Sequence, residues 1–230
     1  MILYCDEHIV VVNKPAGIPV HRSRMVNDDK IFLIDQVRVL VDGPLHLIHR
    51  LDRATSGVLL IGRNSEVAGT LGRQFMQRGV EKIYLAVCRG WPEQTGEIDY
   101  PLPGVRENSE RKPALTRWRR LATVEVPIAI SRYPQQRYAL VEISPETGRY
   151  RQIRRHFGHL HHPLIGDTSH GRSEHNRLFK QYYSSHRLLL HAQKLTFDHP
   201  VNAKRMSIEA PLDAEFSGVL DHFGWTEPSA

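Results

Sequence analysis

Residues 49–57 read His-Arg-Leu-Asp-Arg-Ala-Thr-Ser-Gly, a single carboxylate held between two guanidinium groups ahead of a small-residue turn. Adjacent guanidinium groups favour the ionised form of a carboxylate, and that is the form a nucleophile or a base requires. On an extended segment successive side chains alternate faces, so Arg50 and Asp52 point one way while Leu51 points into the core. The Thr55-Ser56-Gly57 turn then leaves Asp52 at the mouth of a strand. Two readings stand from this stretch. Asp52 is a reactive carboxylate, or it is a strand-end anion satisfied by turn amides and a salt bridge.

A second constellation is TGRYRQIRRHF (147–157). Its spacing predicts a helix over 147–160, with Thr147 as the N-cap and Ile153, Phe157 and Leu160 as the apolar stripe. At 100° per residue Arg151 and Arg155 fall opposite that stripe, facing solvent or a ligand backbone. Arg154 lies at the stripe's edge, where an arginine is half-buried and pairs with a carboxylate. A solvated basic face is the plainer alternative. A third is Lys82-Ile83-Tyr84, on an alternating strand: a tyrosine on a sheet face can stack on a base or be a packed aromatic with a wet hydroxyl.

Other chemistries find little support. His156, His159, His161 and His162 crowd together, but no cysteine or paired carboxylate completes a zinc site. Ser56 lacks the flanking glycine of a nucleophile elbow. Neither G-x-G-x-x-G nor G-x-x-x-x-G-K-[ST] occurs, so no nucleotide cofactor is expected. No metal is expected either.

The elements that must position these residues are mostly strands. Residues 2–13 predict two short strands around Asp6-Glu7, and 31–41 a helix. A strand over 45–52 should run into the 55–57 turn, with a second strand at 58–63. A helix over 65–78 and a strand over 80–90 follow. Strand-like stretches at 97–100, 115–124 and 137–143 precede the 147–160 helix, with closing strands at 188–197 and 205–210 and a last helix near 212–223. The stretches 103–114 and 168–186 are expected to be mobile insertions. Strands and helices do not alternate as in a parallel sheet. The expectation is one α+β domain over 1–230, a largely antiparallel mixed sheet flanked by helices and loops.

The chain has 230 residues with 31 Lys+Arg against 25 Asp+Glu, a formal charge of +6. Such a balance suits an anionic partner, nucleic acid above all, and the charge is concentrated in Arg149–Arg155 and in Arg117, Arg119 and Arg120. The sequence holds no apolar run long enough to span a membrane. Its start lacks the marks of a signal peptide, and its two cysteines sit outside any C-x-x-C pattern. The expected compartment is the cytoplasm.

In order and spacing, NKPAGIPVH (13–21), HRLDRATSG (49–57), KIYLAVCRG (82–90), TGRYRQIRRH (147–156), LIGD (164–167) and RLLLHA (187–192) resemble the RluA-type pseudouridine synthases. The resemblance implies one catalytic domain without an S4 RNA-binding domain. It implies isomerisation of uridine in RNA to its C-glycoside, a redox-neutral reaction that needs no cofactor. Asp52 then matches the catalytic aspartate, Tyr84 the tyrosine that stacks on the base, Arg154 the arginine paired with that aspartate, and Arg50 the arginine at the flipped-out nucleotide. Lys14, His21, Arg53, Lys82, Arg151 and Arg155 are the implied RNA contacts. LATVEVP (121–127), RYALVEISPETGR (137–149) and FGW (223–225) resemble members acting on tRNA. They imply a tRNA substrate, uridine 65 in the acceptor/T-stem region; a monomer is the expected state. The same chemistry on a ribosomal uridine, and a non-catalytic RNA-binding protein, are the alternatives. Two departures stand out: His170 where the family has Tyr in G-D-x-x-Y-G, and Tyr150-Arg151 where it has Thr-His.

Overall fold

A computed structural model describes residues 1–22, 31–106 and 108–227. In chain order the elements begin with β1 (Ile2–Cys5), β2 (Ile9–Lys14), α1 (Leu33–Leu40), β3 (His46–Leu47), β4 (Ser56–Gly62) and α2 (Ser65–Met76). Next come β5 (Glu81–Arg89), β6 (Thr95–Asp99), β7 (Leu102–Pro103), β8 (Arg111–Lys112), β9 (Leu115–Val126) and β10 (Gln136–Pro145). The chain closes with α3 (Gln152–His159), α4 (Ser173–Tyr182), β11 (Leu190–Asp198), β12 (Arg205–Glu209) and α5 (Ala214–His222). The fold class is α+β with mostly antiparallel strands, as expected. The chain divides into two compact units, residues 1–82 with 191–211, and residues 83–190 with the segment from Leu212 onward.

In the first unit the strands run in the order β1-β2-β4-β11, with β3 added to β4 and β12 to β11. All pairings are antiparallel except β4 with β11. Every residue of β4 is buried, and so is the Ile-Val-Val-Val run of β2. Such continuous apolar runs are what strands covered on both faces require. Ile9, Val11, Val58, Leu60, Leu195 and Phe197 make the core, against which α2 lays Val67 and Leu71. Asn64 caps α2, its Oδ1 accepting from the Val67 N–H at 2.9 Å, which satisfies one of the open donors of the first turn.

The second unit carries the antiparallel order β5-β10-β9-β6 and a separate β7-β8 pair. Its core joins Leu85, Val87, Tyr138 and Leu140 of the sheet to Leu178 and Phe179 of α4 and to Phe216, Val219 and Leu220 of α5. Trp225, Phe223 and Tyr183 extend that core as an aromatic cluster.

Three expectations fail, each for a reason of tertiary context. The strand foreseen over 45–52 is regular only at His46–Leu47, and the rest is an extended loop. Its side chains still alternate: Arg50 is exposed, Leu51 buried and Asp52 half-buried. The 147–160 helix starts at Gln152. Thr147 does not cap it, because its hydroxyl donates to Gln152 Oε1 and accepts from the Leu115 N–H. The stretch 168–186 contains α4, whose buried stripe of His175, Leu178 and Phe179 is too narrow and too polar to be seen in the sequence. The predicted loop 103–114 holds the short β8, and its residue 107 lies outside the described residues.

Candidate active site

Asp52 lies in the first unit, on the loop between β3 and β4, and that loop is pinned along its length. Upstream, His49 Nε2 accepts the Leu60 N–H at 3.0 Å, and its ring stacks on Phe75 at 4.6 Å. Burial, with the nearby Lys82 cation, pushes the His49 pKa down to about 3, so the ring is neutral and its Nε2 remains an acceptor. At the centre, Arg53 O accepts from the Gly17 N–H at 2.9 Å and from Lys14 Nζ at 3.0 Å. Arg53 Nε in turn donates to Gly17 O. Downstream, the Thr55 N–H donates to Asp52 O at 3.1 Å and closes the turn. The NKPAG turn and the HRLDR loop are thus laced together through backbone atoms.

This lacing corrects the expectation for Lys14. The side chain is 0% exposed, and its ammonium donates to Pro15 O and Arg53 O. A buried ammonium must be satisfied by fixed acceptors, so Lys14 holds the loop from inside and is not placed to meet RNA. The other expected contacts of this unit are accessible: Arg50 and Arg53 are exposed, and His21 and Lys82 are half-buried.

Arg154 lies in the second unit, as do Tyr84, Arg151 and Arg155. Tyr84 is half-buried on β5, opposite Ile143 of β10. Arg154 is almost wholly buried, its side chain 6% exposed, and it makes a bidentate pair with Asp167, which is 1% exposed. Nε donates to Oδ2 at 2.8 Å and Nη2 to Oδ1 at 2.7 Å. Oδ1 also accepts the Ser169 and His170 N–H groups. Burial alone would raise the Asp167 carboxyl; the Arg154 guanidinium and these two amides outweigh it and hold the pKa below the usual range. Asn176 of α4 fixes the same corner, accepting from the Gly166 N–H and donating to Asp167 O.

The sequence reading gave Asp167 no role, although it is the Asp of LIGD. The signal was indirect: a half-buried arginine at a helix edge needs a carboxylate, and linear sequence does not say which. Gln152 was missed too. Its amide donates to Leu115 O and Thr116 Oγ1 and accepts from Thr147 and the Arg149 N–H, anchoring the start of α3 to β9.

Arg151 sits just ahead of α3 in the left-handed region, with φ 53°. That conformation is uncommon for a residue with a Cβ. Its Nη1 donates to Ser169 Oγ at 3.0 Å and its guanidinium lies 4.9 Å from the centre of the Tyr150 ring. Arg155 donates from Nη1 to Pro103 O at 2.8 Å, tying α3 to β7. His170 departs from the family's tyrosine, and its Nε2 is buried with no hydrogen-bond partner among the described residues. Burial, then the neighbouring arginines, outweigh Asp167 and hold its pKa below the usual imidazole value. The described residues contain no cluster of His, Cys, Asp and Glu suited to a metal ion, and none of their helices is long and apolar enough to cross a membrane.

Comparison with known proteins places the chain among RNA-modifying enzymes. A family model described as RNA pseudouridylate synthase matches residues 8–159. A Pectobacterium carotovorum protein named tRNA pseudouridine synthase C is 45% identical over 97% of the chain, which spans 62% of that protein's length. A Vibrio cholerae protein of the same name is 42% identical, covering 98% of this chain and 96% of its own. Among solved structures, human RNA Pseudouridylate Synthase Domain Containing 4 superposes with a TM-score of 0.77 at 25% identity, covering 99% of this chain and 94% of its own. Human RNA Pseudouridylate Synthase Domain Containing 1 gives 0.72, also at 25% identity, covering 92% and 82%. The chain belongs to the RNA pseudouridylate synthase family and is an isomerase.

Proposed function

We propose that this protein converts a uridine of tRNA to pseudouridine, at uridine 65 in the acceptor/T-stem region, with both units forming one catalytic domain. The observation that carries the tRNA assignment is identity of 41–45% over nearly the whole chain to relatives named tRNA pseudouridine synthase C. Asp52 is the catalytic carboxylate. It acts on the sugar as a nucleophile at C1′ or as a base on a sugar proton, and either step needs the ionised form. The N1–C1′ bond breaks, the base rotates, and a C5–C1′ bond forms. C5 loses its proton and N1 gains one, so atoms and electrons balance without a redox partner.

In this reading Arg154 helps to bind the substrate, and the fixed Asp167 carboxylate keeps that guanidinium in one orientation. Tyr84 stacks on the base and takes part in removing the C5 proton. Arg50 stands by the extruded nucleotide, whose unstacking costs a few kcal/mol. Arg53, His21, Lys82, Arg151 and Arg155 meet the RNA backbone. The protein works as a monomer in the cytoplasm.

The test is a chemical map of pseudouridine in RNA from cells lacking the protein, complemented with wild type or Asp52→Asn. Loss of one tRNA site, restored by wild type alone, is expected. Loss of a ribosomal site would keep the chemistry and overturn the tRNA assignment. If no site is lost, the protein has a non-catalytic role on RNA.

A further inference from the structure

Ser56, expected in a small-residue turn behind Asp52, is instead the first residue of β4. Its side chain is buried at 2% exposure, and Oγ lies 2.7 Å from Nδ1 of His191, itself 1% exposed. The other ring nitrogen, Nε2, lies 2.9 Å from Ala210 O. A carbonyl can only accept, so Nε2 carries a proton, and in the neutral ring Nδ1 then presents its lone pair and the Ser56 hydroxyl donates. The result is a directed chain from Ser56 through a neutral imidazole to the backbone next to β12.

A serine bonded to a histidine invites a hydrolytic reading, and the geometry rejects it. The hydroxyl is closed off from any substrate carbonyl, and the second ring nitrogen is spent on a main-chain carbonyl, where a nucleophile's base would have an orienting carboxylate. The pair's position suggests another task. β4 starts at Ser56, and the turn from Asp52 to Thr55 is closed just before it. β4 meets β11 in parallel pairing at Ser56 with His191 and Gly57 with Ala192. Gly57 has φ +111°, and a Cβ there would stand 2.1 Å from Ala192 O. The backbones touch at that point, with no side chain at 57 to key the register. Ser56 and His191 supply the key.

We propose that Ser56 and His191 are a positioning pair that sets where Asp52 stands, a role that rests on Asp52 being the catalytic carboxylate. His49 and Lys14 hold the loop at other points, so removing the pair loosens the turn without releasing it. A misplacement of about 1 Å at a reacting group costs on the order of a hundredfold in rate. Ser56→Ala and His191→Leu are therefore expected to lower kcat by about tenfold to a hundredfold, with tRNA affinity held. His191→Gln can accept from Ser56 through its carbonyl and donate to Ala210 through its amide, so it should recover most of the loss.

The experiment measures single-turnover rate and tRNA Kd for these variants and for Asp52→Asn, with the ¹⁵N shifts of the His191 ring in the wild type. Rate loss at constant Kd in Ser56→Ala and His191→Leu, rescue in His191→Gln, and an Nε2–H tautomer support the pair. Wild-type rates in Ser56→Ala and His191→Leu beside an inactive Asp52→Asn overturn the pair alone. Full turnover in Asp52→Asn overturns the catalytic reading beneath it. Should Ser56→Ala fail to fold, the ring decides: an Nδ1–H tautomer in the wild type refutes the chain of donors, and failure of His191→Gln to outperform His191→Leu refutes the role.

Discussion

Arg117, Arg119 and Arg120 on β9 and Arg149, Arg151, Arg154 and Arg155 around α3 are equally conspicuous in the sequence, yet the fold treats them in opposite ways. On β9 two of the three charges, those of Arg117 and Arg119, meet carboxylates in place. Arg117 bonds Glu97 and Glu146, Arg119 bonds Glu142, and Arg120 donates to Pro92 O and Gln94 Oε1. The strand register does this by placing Glu142 opposite Arg119 and Glu97 opposite Arg117. The Arg117 and Arg119 side chains are 53% and 57% exposed, so these pairs contribute about 0–1 kcal/mol each. Around α3 the arginines have separate tasks: Arg154 is buried on the Asp167 carboxylate, Arg155 and Arg149 donate to the carbonyls of Pro103 and Pro113, and Arg151 stays half-exposed. A run of basic residues therefore says nothing by itself about nucleic acid until the acids opposite it are known.

The contrast can be broken most forcefully at Asp167. Asp167→Asn takes a buried, bidentate carboxylate charge away from the Arg154 guanidinium, so unfolding in urea should show a loss of about 3–5 kcal/mol. Replacing the pair together, Arg154→Met with Asp167→Leu, should regain part of that stability, since a packed apolar pair avoids the desolvation cost while the Ser169 and His170 N–H groups lose their acceptor. Stability close to wild type in the single variant would show that the pair is not held as described.

A pH titration sharpens the same point. The Asp167 carboxyl has a folded pKa below its unfolded one, so its stabilisation is complete above the unfolded value of about 3.9. It is lost as pH falls below about 4 through the folded pKa. The Asp167→Asn protein should lack this part of the acid-side decline when unfolding free energy is followed against pH.

Arg155→Ala should have a smaller effect. It removes a charged hydrogen bond to Pro103 O, with an expected cost of about 1.5–3 kcal/mol in the same urea assay. Arg119→Ala should change stability by less than about 1 kcal/mol and leave the salt dependence of tRNA binding unaltered. Arg151→Ala should instead reduce the slope of log K against log salt by about one. Equal slopes for the two variants would erase the distinction between the clusters.

Local pattern was enough for much of the fold. The paired strands at the start, the α2 and α5 helices, and the β5, β9 and β10 strands follow from hydrophobic periodicity, because each buries its own apolar face. Arg154's burial was legible from its angle on the α3 wheel. The misreadings fall where side chains are satisfied by distant atoms. Thr147 looks like a cap until Leu115 and Gln152 engage it, and α4 is hidden because a histidine serves in its buried stripe.

What the sequence determined on its own is the chemistry: the types and order of the motif residues specify an RNA isomerase family and leave Asp52 as the carboxylate to test. What only the tertiary structure decided is which partners its buried polar groups take. Lys14 turns inward, Asp167 takes Arg154, and Ser56 meets a histidine 135 residues away. The reason is physical. Hydrophobic burial follows short periodicities that a chain carries locally, whereas a buried polar group must find its partner wherever the fold delivers one.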